Sequence, residues 1–149
     1  MSEIQLEKVV GGEVVLAALE HLQKDEITDV VACFAEKFEF NDRGIGLHFS
    51  NPRRLTEFLR KTSEFYPDYS LETDKIIVSG EHVITEWTLR FTLTEPFYGG
   101  HVRRVPIVVR GASVVRTVNG RIASWTDYYD GLTSRRTALA AHFEEWIEL

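Results

Sequence analysis

Asn119-Gly120 is the feature that most restricts what this chain can fold into. Both central residues of a two-residue hairpin turn sit at φ > 0, which Asn tolerates and Gly adopts freely, so the pair dictates a tight reversal between two strands. Beyond it, residues 121–129 (Arg-Ile-Ala-Ser-Trp-Thr-Asp-Tyr-Tyr) are rich in apolar, aromatic and β-branched side chains and read as a strand. Before it, Arg104 to Val118 reads as another, with Gly111 expected to mark a bulge or bend. Alternation places Ala123, Trp125, Asp127 and Tyr129 on one face. The Trp-bearing face is the one to bury. Asp127 is then a carboxyl aimed into an apolar interior, where desolvation raises its pKa. Such an acid has either a structural partner or a chemical task.

Two further strands precede this pair. Tyr69 to Val78 and Val83 to Thr94 flank the turn Ser79-Gly80-Glu81, and Trp87, Leu89 and Phe91 alternate with polar residues in the second. Pro96 to Gly100 reads as a loop. The first 66 residues are patterned differently. Gly11-Gly12 leads into a helix with Val15, Ala18, Leu19 and Leu22 at helical spacing, and Asp25 is placed to cap a second one with the stripe Ile27, Val30, Val31 and Phe34. Lys37 to Phe40 reads as a short strand closed by the turn-prone Asn41-Asp42-Arg43-Gly44. Ser50-Asn51-Pro52 starts a third helix carrying Leu55, Phe58, Leu59, Thr62 and Phe65. Thr133 or Ser134 opens a last helix with Leu139, Phe143, Trp146 and Ile147.

Helices followed by a run of antiparallel strands specify an α+β fold: a curved, mostly antiparallel sheet wrapped around N-terminal helices, with a C-terminal helix, as one domain over 1–149. A sheet curved over helices leaves an apolar hollow suited to a small molecule. Composition narrows the partners. With 23 acidic against 17 basic residues and a formal charge of -6, the chain has no basic run of the kind that tracks phosphates, so nucleic acid is not expected. No apolar run approaches the roughly 20 residues that span a bilayer, and the start Met1-Ser2-Glu3-Ile4 lacks the features of a signal peptide, so the expectation is a cytoplasmic protein with no membrane association. The single cysteine, Cys33, excludes an internal disulfide framework, and its apolar run makes it a small buried filler. The five histidines show no HxH or HxxxH spacing, so no metal site is expected. His48 and His101 fall in predicted loops, where a solvent-exposed imidazole is the default and a place at the pocket mouth the alternative.

Three stretches carry a family resemblance: Ala32-Cys33-Phe34-Ala35 at the end of the second helix, Gly111 to Arg116, and Asn119 to Asp130 with Gly-Arg-Ile before a Trp-x-Asp-Tyr strand. With the element order, they make the chain similar to the SnoaL-like branch of the nuclear transport factor two-like superfamily, over nearly its whole length. That superfamily includes polyketide cyclases, limonene-epoxide hydrolases, ketosteroid isomerases, dehydratases and non-catalytic binding or assembly domains, so the fold by itself does not choose a reaction.

The resemblance implies roles residue by residue. Asp127 matches an acid/base carboxylate of the cyclases and epoxide hydrolases. The Arg and second Asp of those hydrolases are replaced by Trp87 and Leu89 when the family's Thr-Glu pair is aligned on Thr85-Glu86. Asp42 falls near the general base of the ketosteroid isomerases, but the positions of that enzyme's oxyanion-stabilising Tyr and Asp hold Ala18 and Ser113. Two readings follow. In the first, the protein does proton-transfer chemistry (cyclisation, isomerisation or dehydration) without a cofactor on a hydrophobic, polyketide- or terpenoid-like molecule. Asp127 would act as acid/base, Asp42 and Ser113 would assist, and Trp87, Leu89, Phe91, Trp125 and Tyr129 would line the cavity. In the second, the same cone is a non-catalytic ligand-binding or dimer-scaffold domain. In both, Thr88, Arg90, Thr92, Arg110, Val114, Arg116, Thr126 and Tyr128 form an outer sheet face that suits a homodimer.

Overall fold

Three helices and six strands make up the described chain, a computed structural model that covers residues 11–96 and 102–133. They run α1 (Gly12–Gln23), α2 (Ile27–Ala32), β1 (Phe34–Asp42), β2 (Leu47–Phe49), α3 (Pro52–Phe65), β3 (Ser70–Ser79), β4 (His82–Pro96), β5 (Val102–Val118) and β6 (Arg121–Tyr129). The strands form one open sheet in the order β2-β1-β6-β5-β4-β3, antiparallel throughout except for the parallel β1–β6 pair. The expected α+β cone is the observed architecture, with the helices against one face of the sheet. The expected C-terminal helix and the Gly99-Gly100 loop with His101 lie outside the described residues.

Local chemistry accounts for most boundaries. Asn51 caps α3 by accepting hydrogen bonds from the backbone N–H groups of Arg53 (2.9 Å) and Arg54 (3.4 Å), and Pro52 occupies the first turn, where a missing N–H costs nothing. Asn119 (φ 51) and Gly120 (φ 72) both adopt the left-handed conformation that the β5–β6 hairpin requires.

Four expectations are corrected. Asp25 does not cap α2; it stands at φ 60 just beyond α1, where its own N–H donates to Leu22 O and that of Glu26 to His21 O. This paired closure satisfies the last carbonyls of α1 and needs a left-handed residue, a conformation Asp tolerates better than most. Phe34 belongs not to the stripe of α2 but to the start of β1, where the strand joins the core. Gly111 sits in unbroken register opposite Trp87 and Tyr129; the sheet's irregularities fall instead at Asp74, at Ala123 and between Phe34 and Glu39. Cys33 is half-buried rather than fully buried.

The extra residue at Ala123 resets alternation, so that Ile122 faces inward and is fully buried together with Trp125. The core then runs in rows. Phe40, Trp125, Val115 and Val83 stand side by side across β1, β6, β5 and β4, all buried. The side chains of Val15, Ala18 and Leu19 from α1, Val30 from α2 and Leu55 from α3 belong to the same cluster. A second cluster, Trp87, Phe91, Val105, Ile107 and Val109, lies farther along β4 and β5. The three described helices do not fill the space over this second cluster, and a cavity opens there.

A candidate active site in the cone

The row next to the apolar one is polar. Parallel pairing sets Asp42 of β1 opposite Asp127 of β6, and antiparallel pairing sets Asp127 opposite Ser113 of β5 and Ser113 opposite Thr85 of β4. The following row is aromatic: Tyr129 and Trp87 flank Gly111, with ring centroids 5.9 Å apart. The Gly111 backbone lies under the Trp87 indole so closely that a Cβ there would fall 2.5 Å from the ring. Gly44, in the turn after β1, lies in the same way against the Tyr129 ring, where a Cβ would stand 2.1 Å from Cζ.

The polar row and the aromatic row face a cavity of about 720 Å³ between the sheet and the helices. All eight residues expected at the site line it: Asp42, Ser113, Asp127, Trp87, Leu89, Phe91, Trp125 and Tyr129. Ala18 is also on the wall. His48 is not. It lies on the short strand β2, a strand not expected from the sequence, with its Nδ1 2.7 Å from Asn41 Oδ1 on the exposed side of the sheet.

Hydrogen bonds fix the acids. Trp87 Nε1–H donates to Ser113 Oγ (2.8 Å), and the Ser113 hydroxyl donates to Asp127 Oδ1 (2.5 Å). Trp125 Nε1–H donates to the same Oδ1 (2.7 Å). Oδ2 of Asp127 receives no hydrogen bond among the described residues. Asp42 is held differently, with Oδ1 accepting the backbone N–H of Ile45 (3.1 Å) and Oδ2 the Tyr129 hydroxyl (2.9 Å). Asp42 therefore forms the turn, as its sequence context suggests, and also meets a pocket side chain.

Burial pushes the Asp127 pKa up to about 6; the bonds from Ser113 and Trp125 oppose that rise, and the neighbouring Asp42 adds to it. Although surrounded by protein, Asp127 is only partly buried by surface area, because the open cavity reaches it. Burial also raises the Tyr129 pKa, and the bond to Asp42 raises it further, so its phenol stays protonated as a donor.

The Asp42–Tyr129 bond and the convergence of Ser113 and Trp125 on one oxygen are not explicit in the sequence. Alternation along β6 could have signalled the second, since residues i and i+2 share a face; the first needed the β1–β6 register. Tyr66 and Tyr69, also on the wall, were missed as well. Away from the cavity, His21, Glu26 and Asp29 bring possible ligand atoms within 4.8 Å of one another at the surface, a grouping that HxH or HxxxH spacing does not reveal. Among the described residues no helix is long and apolar enough to cross a membrane.

Solved structures of other proteins share the fold. A protein from Shewanella denitrificans classed as a SnoaL-like polyketide cyclase superposes with a TM-score of 0.74 at 13% identity, covering 88% of this chain and 98% of that one. IdmH from Streptomyces antibioticus, also classed as a polyketide cyclase, gives 0.73 at 17% identity, with 86% and 97% covered. A protein from Catenulispora acidiphila with a ketosteroid isomerase-like fold, in complex with trimethylamine, gives 0.68 at 21% identity, with 81% and 88% covered. At these identities the likeness is one of fold. No curated protein matches the chain. The SnoaL-like domain model matches residues 15–125, most of the described helices and sheet, and the chain belongs to the SnoaL-like family.

Proposed function

We propose that the protein catalyses proton transfer on a hydrophobic small molecule, in a cyclisation, isomerisation or dehydration, with Asp127 as the base. The observation that carries this reading is the asymmetry of the Asp127 carboxyl. Oδ1 is held by two donors, Oδ2 receives none among the described residues while Asp127 lines the cavity, and a pKa of about 6 leaves the group ionised yet basic at neutral pH. A base works best with a pKa near the operating pH, and positioned bases contribute roughly 10²- to 10⁴-fold. Ser113 and Trp125 orient the carboxylate, Trp87 orients Ser113, and Asp42 raises the proton affinity of Asp127 while holding the Tyr129 hydroxyl. Trp87, Leu89 and Phe91 supply apolar wall.

All three reaction types can begin by removing a proton beside a carbonyl. The test is deuterium exchange into the α-positions of a hydrophobic ketone, 2-tetralone, followed by NMR in D₂O. The expected result is exchange at least about 100-fold faster than in buffer, rising with pH through about 6 and absent in Asp127→Asn. Exchange at the buffer rate, or unchanged in the Asn variant, would reduce the site to a binding pocket.

A second proposal concerns assembly. Ile77, Ile84 and Val114 stand side by side across β3, β4 and β5 on the outer face, with exposures of 50%, 39% and 37%, and Tyr128 and Val108 are exposed nearby. An apolar row of this kind on a sheet suits a self-complementary two-fold contact. It extends the expected face by residues not foreseen, while Thr88 is covered by its 2.6 Å bond to Asp74. Light scattering at micromolar concentration should give a dimer mass, and Ile84→Glu a monomer. A monomeric parent protein would end the proposal. The acidic balance and single cysteine also lead us to place the protein in the cytoplasm.

A further inference from the structure

Hydrogen bonds have a direction, and at the polar end of the cavity they run from the side chains into the protein. Trp87 Nε1–H goes to Ser113 Oγ, the Ser113 hydroxyl and Trp125 Nε1–H go to Asp127 Oδ1, and the Tyr69 hydroxyl goes to the Leu22 carbonyl (2.5 Å). The Tyr129 hydroxyl gives its proton to Asp42 Oδ2 (2.9 Å). A phenol carries one O–H, so an oxygen that has donated it can only accept. Tyr129 therefore offers a cavity ligand a lone pair rather than a proton.

The fold builds this polarity in. Asp42 is buried; its Oδ1 accepts the Ile45 N–H (3.1 Å) and its carbonyl the Gly46 N–H (2.9 Å), while the neighbouring Arg43 N–H donates to the Asp127 carbonyl (2.9 Å) and ties the turn to β6. A carboxylate only accepts, so the proton between Asp42 and Tyr129 belongs to the phenol and points at the acid. The Tyr129 ring is held in place by Gly44, whose backbone lies so close that a Cβ would stand 2.1 Å from Cζ. Burial and the bond to Asp42 both raise the Tyr129 pKa, so the phenol keeps its proton. Bonding to a carboxylate also polarises the phenol oxygen and makes it a stronger acceptor for a second group.

Asp127 and Tyr129 both line the cavity and stand two residues apart on β6, a separation of about 6.5 Å along the strand. A molecule whose acidic carbon lies at Asp127 thus sets a second part of its body against Tyr129. A carbonyl or ether oxygen there would meet lone pair with lone pair and lose its water without replacement. A hydroxyl would donate. We infer that the substrate is a hydrophobic carbonyl compound with a hydroxyl group remote from its reacting carbon, that this hydroxyl donates to Tyr129 Oη, and that Asp42 is the positioning residue that makes Tyr129 an acceptor. The inference rests on the proposed reading of the cavity as a substrate site, leaves Asp127 Oδ2 to act as the base, and names the functional group that the site selects.

The test is a matched pair, 6-hydroxy-2-tetralone and 6-methoxy-2-tetralone, each titrated calorimetrically into the full chain at pH 7.5, with deuterium exchange at the α-positions followed by NMR. The two share the ketone and the ring, and only the first can donate. The hydroxy compound should bind about ten-fold or more tightly, although the methoxy compound carries more apolar surface. Asp42→Asn supplies the second measurement. Its carbonyl oxygen can keep the Ile45 N–H while its amide takes the place of Oδ2 and donates to Tyr129 Oη, which turns the phenol proton toward the cavity. The preference should then vanish or reverse, a change of about ten-fold or more in the ratio of the two affinities. Simple damage to the fold would weaken both compounds together and leave the ratio unchanged. The inference is overturned if the parent protein binds the methoxy compound as tightly as the hydroxy compound, a comparison that needs no variant, or if the Asn variant keeps the parent ratio. A hydroxyl preference without exchange upholds the recognition and ends the role of Asp127 as base. Exchange without a preference ends the recognition alone, and binding of neither compound ends both.

Discussion

Asp127→Asn is expected to stabilise the protein at pH 7.5 by about 2–3 kcal/mol while removing its proton-transfer capacity. Asn can keep its carbonyl oxygen on Ser113 and Trp125, where Oδ1 now accepts both bonds, and place its amide toward the cavity in the position of Oδ2. What disappears is a carboxylate held in a desolvated site. The Asp127 pKa is raised from 3.8 to about 6 on folding, so the folded chain binds this proton more tightly than the unfolded one. The associated stability is fully present below pH 3.8 and is lost as pH rises through about 6. A gap of about two units corresponds to about 3 kcal/mol. Urea unfolding of the parent and variant at pH 3.5 and 7.5 checks this: the Asn advantage should be small at the lower pH and full at the higher. Equal differences at both pH values would mean that the carboxyl is not desolvated on folding. Exchange or turnover measured alongside should fall by roughly two orders of magnitude or more, the scale of general-base catalysis. Loss of activity together with a gain in stability is a result that simple damage to the fold does not produce.

Gly111→Ala is expected to destabilise the fold by about 3 kcal/mol, at the upper end of what an inserted methyl costs in a packed site. The new Cβ would lie 2.5 Å from the Trp87 ring and 2.8 Å from the Tyr128 carbonyl oxygen. The ring is buried and the carbonyl belongs to the sheet backbone, so neither yields freely. If Trp87 moves, its indole leaves Ser113, and the Ser113–Asp127 bond loses its orienting donor. The variant should therefore show a lowered urea midpoint together with changed Trp fluorescence. Gly120→Ala provides the comparison. Nothing lies within 4 Å of a Cβ there, so only the left-handed backbone (φ 72) is penalised, at about 1–2 kcal/mol. An Ala at 111 tolerated better than one at 120 would show that the Trp87–Gly111 contact is loose.

Element types were largely legible in the sequence, since period and turn chemistry are local. Asn119-Gly120 and Asn51-Pro52 behave as their side chains dictate. The strand β2 was missed because a segment of three residues, Leu47–Phe49, is too short to show a period. Asp25 is ambiguous in the sequence because Asp serves both at helix starts and in left-handed turns, and only the two-helix connection chooses between them.

For the site, the chain by itself determined that Asp127 lies between Trp125 and Tyr129 on one side of β6, because alternation is a property of a single strand. It could not determine that Asp42 would be the neighbour of Asp127, for they are 85 residues apart and meet through the parallel β1–β6 pairing. Nor could it place Ser113 against Asp127 rather than one step away, because that depends on the β5–β6 register and on the extra residue at Ala123. Register is a tertiary quantity: a shift of one residue exchanges the faces of a strand. The cavity itself and the close approach of Trp87 to Gly111 were decided by the packing of helices against the sheet and of one strand's side chains over the next, which no single strand's pattern contains.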